Sequence, residues 1–182
     1  MSTYEDSTTK LTYDDYALIP NDGMRHEIID GRHYMNAAPN PRHQTVSRRI
    51  QFQLYEQIEL KGLGQVFNAP IDLQLSEIDV VQPDIVVVQK ENHIITTTRI
   101  RGVPDLVIEI LSPSNRKYDQ ELKKRLYEQH GIPEYWIVDP EKCCLDQNLL
   151  GQNRKYSSRM HINEVKFEPL ASTVDLKSVW AS

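Results

Sequence analysis

The chain has 182 residues, of which 39% are apolar and 26% charged, and a formal net charge of -5. These values fit a globular domain large enough to bury a core. No run of about 18 apolar residues is present, so no membrane-spanning helix is expected, and the negative balance argues against a protein that coats nucleic acid through Lys and Arg alone. The opening MSTYEDSTTK lacks the basic and apolar regions of a secretory leader, so a cytoplasmic location is expected. Cys143 and Cys144 are adjacent, which rules against an unstrained bridge between them and against a Cys-based zinc site. Residues 1–11 read as a loose N-terminal arm.

In chain order, 12–19 reads as a short helix, with Thr12 as N-cap, Asp15 at the acidic third position and Pro20 as its stop. Two strand-like runs then flank Asp30-Gly31, the signal of a tight hairpin. After Pro39-Asn40-Pro41 a long helix is predicted over 42–60, because Val46, Ile50, Leu54 and Ile58 recur every four residues. Gly62 and Gly64 end it.

Residues 66–75 read as one strand. The runs 85–88 and 106–111 are continuous and rich in β-branched residues, as suits strands buried on both faces. A second long helix is predicted over 116–130, with Tyr118, Leu122, Leu126 and Gln129 turned inward and Gly131 as its cap. The buried run 135–138 follows directly, and strand, helix, strand implies a crossover and a parallel pair. Weak strands are predicted near 143–145 and 165–167. The expected class is α/β, a mixed central sheet flanked by helices.

Two carboxylates interrupt the most apolar strands. Asp84 opens Pro83-Asp84-Ile85-Val86-Val87-Val88, and Glu109 lies inside Asp105-Leu106-Val107-Ile108-Glu109-Ile110-Leu111. A lone ionised carboxylate there is costly to desolvate. It must be paired, protonated, metal-bound or at a water-facing strand end. Two on adjacent strands repel unless a cation lies between them, and oxygen-rich carboxylate sites suit Mg²⁺ or Mn²⁺. Salt bridges or strand-end acids are the plainer alternative.

Three other groups bear on that pair. Asp119, Lys123 and Tyr127 fall at four-residue spacing on one helix face. A Lys there can orient water or stabilise negative charge on a phosphodiester, and the bland alternative is a surface Asp–Lys pair. Glu27 and His43 can reach the site from the N-terminal half, although a solvated Glu and a helix-capping His are the commoner fates of such residues. Residues 99–125 hold seven Lys or Arg against four acids, which by charge pattern reads first as a solvated face.

The order Glu27-Ile-Ile-Asp-Gly31, His43, Pro83-Asp84, Pro104-Asp105-Leu-Val-Ile-Glu109-Ile-Leu-Ser112-Pro113-Ser114, Asp119-x3-Lys123-x3-Tyr127 and Gly131-Ile-Pro-Glu-Tyr-Trp-Ile-Val-Asp139-Pro140 resembles the bacterial Uma-two family of restriction endonuclease-like proteins, within the PD-(D/E)XK nuclease superfamily. The resemblance spans about residues 12–180 and is most specific over 104–140. It implies a single restriction endonuclease-like domain over 12–182, an Mg²⁺ (or Mn²⁺) site, and hydrolysis of phosphodiester bonds, with DNA as the expected substrate. Asp84 matches the first acidic motif, Glu109 the acid of E-x-K, and Glu27 the N-terminal acid. The backbone carbonyl of Ile110 completes the metal shell in such proteins. Tyr127 and His43 are expected to support it.

One position departs from the superfamily pattern. Leu111 stands where the Lys of E-x-K belongs, so Lys123, or failing it Lys124, is expected to substitute from the following helix. Asp105 is a second Pro-Asp four residues from Glu109, roughly 13 Å along a strand and too far to share an ion. By analogy with the fold, a homodimer or higher homo-oligomer is expected. The alternative is a catalytically silent nuclease-fold module that binds nucleic acid or regulates.

Overall fold

The computed structural model describes residues 9–20, 22–36, 38–112 and 118–181, with the backbone alone over 118–120. The first helix, α1 (Tyr13–Tyr16), is a single turn. Asp15 Oδ2 accepts from both the backbone N–H and the hydroxyl of Thr12, at 2.8 and 2.9 Å, which ties off its start. Leu11 N–H donates to the Gly31 carbonyl, so the last residue of the expected arm is bound to the hairpin that follows; residues 1–8 of that arm lie outside the described residues.

The hairpin is β1 (Arg25–Ile29) and β2 (Arg32–Asn36), turned at Asp30-Gly31, where both residues take positive φ. Helix α2 (Pro41–Leu54) starts on an Asn40 cap, whose side chain accepts from the His43 N–H, with Pro41 as first residue. The helix expected over 42–60 is α-helical only to Leu54 and continues as a π-helical turn over Tyr55–Glu59.

The strand expected over 66–75 is two strands, β3 (Gly64–Asn68) and β4 (Leu73–Ser76). Pro70 lies between them with no N–H to give to a ladder. Then come β5 (Asp79–Val81), β6 (Ile85–Gln89), β7 (Ile100–Arg101) and β8 (Leu106–Ile110).

A π-helical segment over Tyr118–Lys123 runs into α3 (Lys124–His130), and Gly131 closes it in the left-handed conformation at φ 77°. After α3 the chain forms β9 (Glu134–Asp139), β10 (Cys144–Leu150), β11 (Tyr156–His161), β12 (Glu164–Phe167), β13 (Ser172–Asp175) and α4 (Leu176–Trp180).

The central sheet has six strands in the order β11-β10-β9-β8-β6-β3. Only β8 and β9 run parallel, the pair joined by the α3 crossover. A second, five-stranded sheet has the order β2-β1-β5-β4-β7, and β12 and β13 form a ribbon.

Alternation along the central strands sorts their side chains into two layers. Ile85, Val87, Leu106, Ile108 and Ile110 face α2, meeting Val46, Ile50 and Leu54. Val86, Val88, Val107 and Leu111 face the other way, against Leu126 and Tyr127 of α3 and against Ile29, Leu73 and Val81 of the second sheet. Burying each of these side chains contributes on the order of 1.5–3 kcal/mol. No helix among the described residues is long and apolar enough to cross a membrane.

The inward stripe of α3 differs from expectation. Lys123, Leu126 and Tyr127 are buried, Leu122 is half-buried and Gln129 is exposed. The wider π-helical turn shifts the face presented by everything after it. The side chains of Tyr118 and Asp119 lie outside the described residues. Of the basic residues over 99–125, Arg99 donates to Gln74 and Arg101 to Glu77, while Arg116 and Lys117 also lie outside the described residues.

Candidate active site

The layer rule that builds the core also places the two strand carboxylates. Glu109 shares its side of β8 with Val107 and Leu111, and Asp84, one residue before β6, shares its side with Val86 and Val88. Ile85 pairs with Ile108, so the register carried back one step sets Asp84 opposite Glu109. Both are almost fully buried, and both line a cavity of about 20 Å³, room for one water or one small ion.

Asp84 is held from three sides. Its Oδ2 accepts from His43 Nε2 and from the Ile110 backbone N–H, each at 2.9 Å. Its Oδ1 accepts from Arg25 Nη1 at 2.8 Å. Burial acts to raise its pKa, but the His43 hydrogen bond and the charges of His43 and Arg25 outweigh it and hold the carboxyl below its usual range.

Among the described residues Glu109 receives two hydrogen bonds, both on Oε1, from Lys123 Nζ at 2.8 Å and Tyr127 Oη at 2.7 Å. Burial dominates there, and even with Lys123 beside it the group is pushed up to about 7, helped by the charges of Asp84 and Glu27. Lys123 Nζ also lies 2.8 Å from Glu27 Oε1, so one buried ammonium serves two buried carboxylates. Glu27 further accepts from the Gln82 backbone N–H and from Asn36 Nδ2, both at 2.8 Å.

The structure therefore brings His43, Asp84, Glu109 and Lys123 together around one cavity, with Glu27 joined to them through Lys123 and Tyr127 through Glu109. The fallback Lys124 is elsewhere, its Nζ on Ser158 Oγ. Asp105 sits at the far end of β8, where it accepts from the Gln89 N–H, Gln89 Nε2 and Asn92 Nδ2 and holds a turn. The alternatives of a surface Asp–Lys pair and a capping His do not describe Lys123 and His43, which are 2% and 4% exposed.

Sequence reasoning missed Arg25, Asn36 and Gln82. Arg25 is two residues before Glu27 on β1, on the same face by strand period, and that spacing was the signal available. Asn36 stands opposite Arg25 in the hairpin register, which only the pairing reveals.

Among the described residues no three His, Cys, Asp or Glu side chains are grouped to hold a metal. The donors present are still of the right chemistry for a small hard cation: two carboxylates in one cavity wall, with no soft ligand among them. His43, which lines the same cavity, has its Nδ1 buried with no hydrogen-bond partner among the described residues, a polar atom left for a water or ligand to meet.

The model of a family described as "Uma2: Putative restriction endonuclease" matches residues 13–172. The chain belongs to that family. Its fold is similar to the "crystal structure of a putative nuclease belonging to DUF820 from Anabaena variabilis ATCC 29413", with a TM-score of 0.78 at 17% identity, over 93% of this chain and 97% of that one. At that identity the likeness is one of fold, and it makes the Uma-two chain a mixed α/β, restriction endonuclease-like protein. No curated protein matches it.

Proposed function

We propose that this Uma-two protein is a divalent-cation-dependent endonuclease that hydrolyses phosphodiester bonds in DNA. The observation that carries the reading is the convergence of Asp84 and Glu109, from neighbouring strands, on one ion-sized cavity with Lys123 Nζ 2.8 Å from Glu109 Oε1. Asp84, Glu109 and the Ile110 carbonyl would hold Mg²⁺ or Mn²⁺. When bound, the ion supplies a water of lowered pKa and neutralises charge on the phosphate.

The protein's own groups have separate tasks. His43 and the Ile110 N–H fix Asp84 through Oδ2. Tyr127 fixes Glu109 through Oε1, leaving Oε2 without a protein hydrogen bond among the described residues. The Lys123 ammonium, held by Glu27 and Glu109, is the buried positive charge able to orient water or stabilise charge developing on the phosphate. Glu27 holds that ammonium in place.

A second reading, a silent nuclease-fold module that binds nucleic acid or regulates, is favoured by Leu111 in the usual Lys position. Purified protein incubated with supercoiled plasmid separates the two. Nicking or cutting with Mg²⁺ or Mn²⁺ that stops with chelator and with Asp84→Ala supports the enzyme. Mn²⁺ binding without cleavage of any DNA or RNA form supports the module. Cleavage that persists in the Asp84→Ala, Glu109→Ala double variant refutes the site.

A further inference from the structure

One charged side chain in the cavity wall has no task in the mechanism above. Arg25 lies on β1 with Glu27 and reaches Asp84 Oδ1 at 2.8 Å, its hydrogen-bond partner among the described residues. Its side chain is 23% exposed, against 3% for Asp84 and 3% for Lys123. Among the described residues it is the cation of the site that meets both the cavity and solvent.

The other oxygen of Asp84 is already committed. Oδ2 accepts two hydrogen bonds, one from the backbone of β8 and one from a buried imidazole. A cation bound by Asp84 must therefore take Oδ1, the oxygen that the Arg25 guanidinium holds. A carboxylate oxygen can take two partners, as Oδ2 does, but a guanidinium held on Oδ1 repels a divalent cation approaching the same atom, so the two compete through their charges.

We infer that Arg25 has two positions: its guanidinium competes with the divalent cation for Asp84 Oδ1 and, once displaced, binds a backbone phosphate of the nucleic acid. The inference rests on the nuclease reading of the site. Lys123 is unsuited to the second position, since its ammonium is buried between two carboxylates. Guanidinium is suited to it. It is permanently charged, weakly hydrated, and presents a planar fork of donors that matches phosphate in pairs.

The arrangement couples cation and substrate. Without a phosphate to receive it, Arg25 opposes the cation; with one, the cation meets less competition, and by reciprocity the cation strengthens the phosphate contact.

The test uses the full chain and the variants Arg25→Gln and Arg25→Met, the second keeping an unbranched apolar stem if the first folds poorly. Melting curves establish that each is folded. Calorimetric titration with Mn²⁺ alone is expected to show roughly tenfold tighter binding in both variants than in the wild type, the size of one charge-assisted hydrogen bond removed from the competitor. A purely structural role for Arg25 predicts the opposite direction. Binding of a cleavage-resistant phosphorothioate duplex in the presence of Mn²⁺ is expected to weaken, with its salt dependence shallower by about one ion.

Mn²⁺ affinity unchanged or weaker in both folded variants, while the wild type binds Mn²⁺, overturns the inference and leaves the nuclease reading standing. Tighter Mn²⁺ with an unaltered salt slope overturns the phosphate position. If neither wild type nor variants take Mn²⁺, the cation reading falls and the inference with it.

Discussion

Lys123 and Glu109 stand fourteen positions apart in the chain, yet Nζ and Oε1 are 2.8 Å apart and both side chains are 3% exposed. The crossover explains this: β8 leads into the helix, and the helix folds back over the strand that launched it. Removing the ammonium leaves Glu109 and Glu27 as buried charges with no cation between them. Lys123→Met is therefore expected to cost about 3–5 kcal/mol in urea unfolding. Lys124→Met, which loses one contact to Ser158, should stay within about 0.5 kcal/mol of wild type. Equal losses in the two variants contradict the assignment of Lys123 as the buried partner.

The raised pKa of Glu109 gives the stability curve a defined slope. In the unfolded chain the group titrates near 4.5; in the fold, burial above all pushes it up to about 7. Between those values the folded protein holds a proton that the unfolded chain has lost, so this group makes stability fall as pH rises. Glu109→Gln cannot titrate. Its stability relative to wild type should therefore improve from about pH 4.5 to about pH 7 and level off above. A constant difference across that range counts against the raised pKa. Mn²⁺ needs the ionised carboxylate, so wild-type Mn²⁺ affinity should fall as pH drops below about 7, with proton release on binding.

Tyr127 lends Glu109 a 2.7 Å hydrogen bond from a fully buried hydroxyl, with its ring edge-on to Tyr135 at 4.9 Å between centroids. Phe fills the same volume without the donor. Tyr127→Phe should cost about 1.5–3 kcal/mol above pH 7, where the carboxylate is charged, and less at acid pH. A loss that is the same at pH 5 and pH 8 would show that the hydroxyl does not serve the ionised form.

The legible parts of this chain were those in which one residue type has one physical use. Asp30-Gly31 marks a tight hairpin because its turn needs positive φ. Gly131 marks a helix end for the same reason. Two carboxylates within runs of Ile and Val were legible as a buried, partnered pair because burial leaves them few fates. Other parts carried no such signal. Strands β4, β5 and β7 have four, three and two residues, too few for alternation to register, so the second sheet went unseen. The π-helical turn before Lys124 shows in no residue pattern, and it moved the inward stripe from Gln129 to Tyr127. Strand β13 is held by the helix-borne amide of Gln57, which trades two 2.8 Å hydrogen bonds with the Thr173 backbone, a long-range contact with no local trace.

Asp79 ties three elements together and predicts an acid-sensitive hairpin. Its Oδ1 accepts the Asp30 N–H at 2.8 Å, inside the turn of the strands that carry Arg25 and Glu27. Its Oδ2 accepts from Ser76 Oγ at 2.7 Å and His130 Nε2 at 3.0 Å, the last residue of α3. Burial acts to raise this carboxyl, but the hydrogen bonds from His130, Asp30 and Ser76 prevail and hold it below its usual 3.8. A group whose folded pKa is depressed stabilises the fold above its unfolded value, and that contribution is lost as pH falls through the folded one. Asp79→Asn keeps the shape and loses the charge. It should cost about 1.5–3 kcal/mol at pH 7, the range for hydrogen bonds to a charged group. The gap to wild type should close as pH drops below 3.8, because the unfolded wild-type carboxyl takes up its proton there while the folded one gives up its charge only at lower pH. Urea melts at pH 7, 4 and 3 measure it, and a gap that widens toward acid pH would mean that the neutral acid, rather than the carboxylate, is the form that holds the hairpin.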